Sequence, residues 1–128
     1  MEAKDLQIGD WVYNHRKWEC PILSIRRDYD SEQYYVMVIA RHYGEEEFRV
    51  EDLSPIPLTP EILEKNGFIK ENRRWTLNDK YTGDEIIALF EVAKGFAMLT
   101  SGLAIGFQEV HKLQHLLKLY GIDKEIVL

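Results

Sequence analysis

The strongest constraint on the fold is the run Leu53-Ser54-Pro55-Ile56-Pro57-Leu58-Thr59-Pro60-Glu61-Ile62-Leu63-Glu64-Lys65-Asn66-Gly67-Phe68. It reads as the end of a strand, a stiff connector, and a very short helix punctuated at both ends. Thr59 is a good N-cap, since its hydroxyl can accept from an otherwise unpaired N–H in the first turn. Pro60 follows at the first helical position, where a missing N–H loses nothing. Leu58 and Leu63 have the spacing of a hydrophobic staple. Gly67 can take the left-handed conformation, with Phe68 placed to pack back on Leu63 in a Schellman arrangement. Helix nucleation is too unfavourable for such a short segment to persist alone. Ile62, Leu63 and Phe68 must therefore dock on something larger.

On either side of this pivot the chain has different patterning. Before it, Asp5-Leu6-Gln7-Ile8-Gly9-Asp10-Trp11-Val12-Tyr13 reads as an opening turn and a strand, Gly9-Asp10 supplying the turn chemistry. Three further strands are expected, at Ile22 to Arg27, Tyr34 to Arg41 and Glu47 to Leu53. Polar turns separate them, one over residues 27–32 and one over His42-Tyr43-Gly44-Glu45-Glu46. Short strands at this spacing predict a small sheet or barrel. Leu23 and Ile25 are expected on one face, with Arg26 on the other. Tyr34 to Ala40 is apolar on both faces, which predicts the central strand.

After the pivot, Ile69 to Asn78 reads as one strand containing Trp75 and Leu77. Asn78 to Asp84 is a loop by composition. Glu85 to Ala93 fits a strand turning at Lys94-Gly95 into Phe96 to Thr100, or a helix capped by Thr82 or Asp84; the early arrival of Gly95 favours the strand. Ser101-Gly102 is a turn into Leu103 to Gln108, where Gly106 marks a weakness or a bulge. Val110, Leu113, Leu117 and Tyr120 follow the helical period with Leu116 beside them, and His111, Gln114, His115 and Lys118 take the other side. Gly121 ends this helix, with Ile122 folding back on Leu117. Lys124 to Leu128 can add an edge strand. The expected class is α+β, with a β-rich lobe over 1–58 and a lobe of short helix, antiparallel strands and C-terminal helix over 59–128, sharing one core.

Length and composition narrow the function classes. The 128 residues, 45% hydrophobic and 12% aromatic, have ample material for a core. The net charge is −6, and through Leu58 there are 7 basic and 12 acidic residues, a balance of −5. Such acidity disfavours non-specific nucleic-acid binding, which depends on phosphate neutralisation by Lys and Arg. Cys20 is the single cysteine, so no intrachain disulfide forms, in keeping with a reducing cytoplasm. Met1-Glu2-Ala3-Lys4-Asp5 lacks the features of a signal peptide, and no apolar run approaches a membrane span. A cytoplasmic location without membrane partners is expected.

Ile8-Gly9-Asp10-Trp11-Val12 as an opening strand resembles the start of SH3-like barrels. That resemblance implies peptide or nucleic-acid binding through exposed aromatics, for which Trp18, Tyr29 and Tyr43 are the candidates; the same rings could simply cover the ends of a small barrel. Leu53-x-Pro55-Ile56-Pro57-Leu58-Thr59-x-Glu61-Ile62-Leu63-x-x-Asn66-Gly67-Phe68, with Val110-His111-x-Leu113-Gln114-x-Leu116, resembles a family of short uncharacterised proteins from anaerobic gut bacteria and their phages or mobile elements. The resemblance implies an architecture and a provenance, with no activity, substrate or cofactor. In that family the position of Lys112 is usually Glu and that of His115 often Asn.

Catalytic patterns are thin. His111 and His115 stand at i and i+4, a spacing that can chelate zinc, but the metalloprotease motif needs Glu where Lys112 stands, and a third ligand. Surface or partly packed histidines are the commoner outcome of such a pair. Cys20 before Pro21 reads as a structural thiol, and Glu45-Glu46-Glu47 as a solvated turn. Arg26-Arg27 and Arg73-Arg74 form a basic patch if the halves bring them together; separately, they are solvated strand edges. The leading expectation is a non-catalytic interaction module without cofactor, whose partner is another protein or a second copy of itself. Nucleic-acid binding through Arg26, Arg27, Arg73, Arg74 and the loop aromatics is the alternative, and a metal-dependent hydrolase using His111 and His115 is the third.

Overall fold

The structure is a computed structural model and describes residues 1–41, 43–100 and 102–128. The chain is α+β, with two antiparallel sheets and two α-helices among the described residues. It divides into two compact units, Met1–Ile56 and Pro57–Leu128. Among the described residues no helix is long and apolar enough to cross a membrane.

The N-terminal unit holds β1 (Trp11–Tyr13), β2 (Glu19–Arg27), β3 (Tyr34–Ala40), β4 (Gly44–Arg49) and the two-residue β5 (Ser54–Pro55), in the spatial order β4-β3-β2-β1-β5. A 3-10 turn over Val50–Asp52 links β4 to β5. The middle strand is β2, not the segment from Tyr34. Only one face of β3 is buried, through Val36, Val38 and Ala40, whereas Ile39 is exposed. An extra residue in β2 between Ile22 and Ser24 bulges the ladder, so that Ile22 opposes Val38 and Ile25 opposes Val36. The bulge shifts the alternation by one position. Leu23 is consequently exposed while Ile22 is buried, which overturns the expected Leu23–Ile25 face. Leu6, Val12, Cys20, Ile22, Val36, Val38, Val50 and Leu53 form the core, with Trp18, Ile25 and Phe48 packed against it.

Glu45 and Glu46 belong to β4 rather than to a turn, paired with Ile39 and Val38. An edge strand with solvent on one side accommodates such charges. The strand expected to run to Leu53 stops instead at Arg49, where the 3-10 turn begins. His42, in the turn expected before β4, lies outside the described residues.

The C-terminal unit begins with α1 (Pro60–Lys65). The Thr59 hydroxyl accepts from the Ile62 N–H at 3.3 Å. At the other end the Gly67 N–H donates to the Glu64 carbonyl and the Phe68 N–H to the Leu63 carbonyl, with Gly67 at φ +88°. This is the Schellman pair. β6 (Ile69–Glu71) and β7 (Arg74–Asn78) follow as a hairpin turning at Asn72-Arg73, in place of the single strand expected over Ile69 to Asn78. Asn72 takes φ +59°, a conformation its short polar side chain tolerates.

β8 (Glu85–Val92), β9 (Gly95–Thr100) and β10 (Leu103–Phe107) complete a sheet ordered β10-β9-β8-β7-β6. Glu85 to Val92 is thus the strand that the spacing favours. Gly106 pairs with Ala97 in unbroken register, so no bulge interrupts β10. Ser101, in the turn expected before β10, lies outside the described residues. Leu89, Phe96, Met98 and Phe107 are buried, as are Val110, Leu113 and Leu117 of α2 (Val110–Leu119). Gly121 ends α2 with the same Schellman pair as α1, the Gly121 N–H to Lys118 and the Ile122 N–H to Leu117.

Two further expectations for this unit fail. Tyr120 is exposed rather than part of the buried stripe. The tail after Ile122 forms no strand; the Asn66 side chain holds it instead. Its Nδ2 donates to the Ile62 and Val127 carbonyls and its Oδ1 accepts from the Val127 N–H, each at 2.8 Å.

Candidate binding surface

In the N-terminal unit, the loop between β1 and β2 is built around one buried side chain. The Asn14 Oδ1 accepts from the N–H groups of Arg16 at 2.9 Å and Trp18 at 3.0 Å, and the Asn14 N–H donates to the Trp18 carbonyl at 3.0 Å. This closes an Asx-type turn in which Lys17 sits at φ +61°. Trp18 is thereby fixed at the mouth of the loop. Tyr43, from the turn between β3 and β4, stacks on it with ring centroids 4.6 Å apart and planes 25° from parallel. The Arg16 guanidinium lies 4.9 Å from the Trp18 ring and 5.7 Å from that of Tyr43. In the same loop, His15 packs on Phe48 of β4 at 5.2 Å. Two rings and a cation from two loops thus form one surface, with Tyr43 62% exposed. A flat π-surface edged by a guanidinium can hold an apolar or planar group and accept hydrogen-bonding partners beside it.

Beneath this surface Cys20 is fully buried. Burial pushes its thiol pKa up, and the nearby Glu46 carboxylate adds to the shift. It contributes packing rather than a nucleophile.

The other sequence candidates do not join this surface. Tyr29, 89% exposed, stands in the turn between β2 and β3, at the opposite end of that hairpin. Arg26 forms a two-point hydrogen bond with Glu47 at 2.7 and 3.0 Å and lies 4.5 Å from the Tyr35 ring. Arg27 is 3.8 Å from Glu32. In the other unit Arg74 pairs with Glu85, and the Arg73 carbonyl accepts from the Glu91 N–H at 2.8 Å. Arg26, Arg27 and Arg74 therefore each have a carboxylate partner within their own unit.

His111 is 2% exposed, which corrects its expected place on the polar side of α2. The helical angle from Val110 carries it to the margin of the buried stripe. Its ring meets that of His115 edge-on at 5.6 Å. Among the described residues no group of three or more His, Cys, Asp or Glu side chains is arranged to hold a metal ion.

The C-terminal unit carries a broad groove of about 1160 Å³, lined by residues that include Arg74, Tyr81, Glu85, Phe90, Leu99 and Lys124. Arg16, Asn14 and this groove had no counterpart among the sequence candidates. An Asn directly after a strand is an Asx-turn signal that could have pointed to Asn14. The pairing of Trp18 with Tyr43 depends on strand register and had no local signal. No family model, curated protein or solved structure matches the chain.

Proposed function

We propose that the chain is a non-catalytic interaction module whose N-terminal unit is an SH3-like domain, docking an extended segment of a partner protein on the Trp18–Tyr43 surface. The observation that carries this reading is the stack itself: two rings from different loops, held by the Asn14 turn and left partly open to solvent. The order β4-β3-β2-β1-β5, with a bulged central β2 and a 3-10 turn before β5, supports the SH3-like assignment. Exposed aromatic surfaces suit proline-containing segments, whose extended backbone is already ordered before binding. The acidic balance of the first 58 residues favours a segment flanked by Lys or Arg. On the resemblance of the pivot stretch, the setting is a phage or mobile-element accessory protein acting in the cytoplasm.

Peptide arrays followed by fluorescence titration test the proposal. A proline-containing peptide with basic flanks should bind, and Trp18→Ala or Tyr43→Ala should each weaken it about tenfold or more, as expected for aromatic anchors. Labelled single- and double-stranded oligonucleotides should show no binding at micromolar protein and low salt. Binding there, lost on changing Arg26 or Arg74, would replace this reading with nucleic-acid recognition. A specific turnover by the purified chain would remove it altogether.

A further inference from the structure

The two sheets present four edges, and three carry features that discourage pairing with another chain. β4 has Glu45, Glu46, Glu47 and Arg49; β5 is two residues long and contains Pro55; β6 is three residues long and carries Lys70 and Glu71. The fourth edge, β10, reads Leu-Ala-Ile-Gly-Phe, with neither charge nor proline. We propose that this edge pairs antiparallel with the same strand of a second copy of the chain, making a two-fold dimer.

The direction of the free groups follows from the ladder. The Leu58 N–H donates to the Gln108 carbonyl at 2.8 Å, beside the Pro57–Glu109 bridge, on the side of the strand away from β9. Main-chain groups alternate in direction along an antiparallel strand. Those of Ala104 and Gly106 therefore also point away from β9, and the sheet ends there. A two-fold axis at Ile105 sets Ala104 against the partner's Gly106 and Gly106 against the partner's Ala104. Each such pairing exchanges an N–H and a carbonyl in both directions. The small side chains on that face let the two backbones approach.

A second feature meets the same axis. Between β10 and α2 lies a groove of about 180 Å³, lined by Ile105, Phe107, Leu116 and Leu119, with Lys112 and His115 on the helix side. Leu119 of this lining is 74% exposed, and Leu103, two residues before Ile105 on the same strand face, is 69% exposed. The same rotation brings the partner's Ile105 against this groove, so one operation covers both the open edge and the apolar residues beside it. A self-complementary patch is what a two-fold interface requires. The dimer lies in the C-terminal unit and does not depend on the peptide reading of the N-terminal one.

Sedimentation of the full chain across the micromolar range should show the mass rising from 15.1 kDa toward twice that value. Hydrogen exchange at the Ala104 and Gly106 amides should slow as concentration rises. Leu103→Lys puts a charge at the edge on an exposed side chain, and Ala104→Pro removes one outward N–H. Both should stay monomeric, and Leu103→Lys should melt as the unmodified chain does at low concentration. A wild-type chain monomeric throughout would overturn the proposal. So would a dimer that persists in both variants, or one whose Ala104 and Gly106 amides stay unprotected. None of these results would alter peptide binding at Trp18.

Discussion

At the scale of single residues, chemistry here is set by depth more than by residue type. Cys20 shows this, because a thiol with a raised pKa in a closed core has almost no reactive thiolate at neutral pH. Iodoacetamide should leave the folded chain unlabelled at pH 7 over a period in which the denaturant-unfolded chain is fully modified, as read by mass spectrometry. Cys20 as a structural thiol was legible beforehand, from a lone cysteine next to a proline at a strand. His111 was not. Polarity assigned it to solvent, yet it lies only about 100° around the helix from Val110, close enough to share the buried margin. Where side-chain chemistry and helical angle disagreed, the angle decided.

At the scale of elements, turns and caps were the most legible features, since each is specified within a few neighbouring residues. Thr59, Gly67 and Gly121 act as their spacing predicts. Gly95 adds a steric reason to its turn: at φ +99°, a Cβ would stand 2.4 Å from the Phe107 carbonyl oxygen. Gly95→Ala should therefore lower stability by more than ~1 kcal/mol, measured by urea unfolding, since strain and clash add to the ordinary left-handed penalty. Asn66→Ala should remove about 1–3 kcal/mol by leaving the Val127 groups without partners, and should speed amide exchange at Val127. The tail was illegible because a side-chain clip does not show in strand periodicity. The β2 bulge was likewise hidden, because Ile22-Leu23 reads equally well in either register.

Across the whole chain, the net charge hides carboxylates held in specific hydrogen bonds. Asp28 is lowered in pKa by the Ser31 hydroxyl, Glu47 by Arg26, Asp79 by the Thr82 and Tyr81 amides, and Glu91 by the Trp75 indole N–H and Lys70. A depressed carboxylate binds fewer protons folded than unfolded. Its stabilisation is complete above the ordinary carboxylate range and is lost as pH falls through the lowered value. The melting temperature should be flat near neutrality and fall below pH ~4, with a shallower fall for Glu91→Gln. The α+β class was legible at this scale from the short strands and the two punctuated helices. The assembly of Trp18, Tyr43 and Arg16 was not, because it needs the register that brings two separate loops together to be right at once.

The Asn66–Val127 clip also bears on the order of events in folding. It joins residues 61 positions apart, so closing it early would cost the loop entropy that the folded strands and helices between them remove, which favours late closure. A contact that forms after the transition state restrains escape from the native state rather than speeding arrival. Stopped-flow kinetics of Asn66→Ala should accordingly show faster unfolding with the refolding rate unchanged. The clip then sets how long the native unit lasts, while the capped helix and the hairpins set how fast it appears.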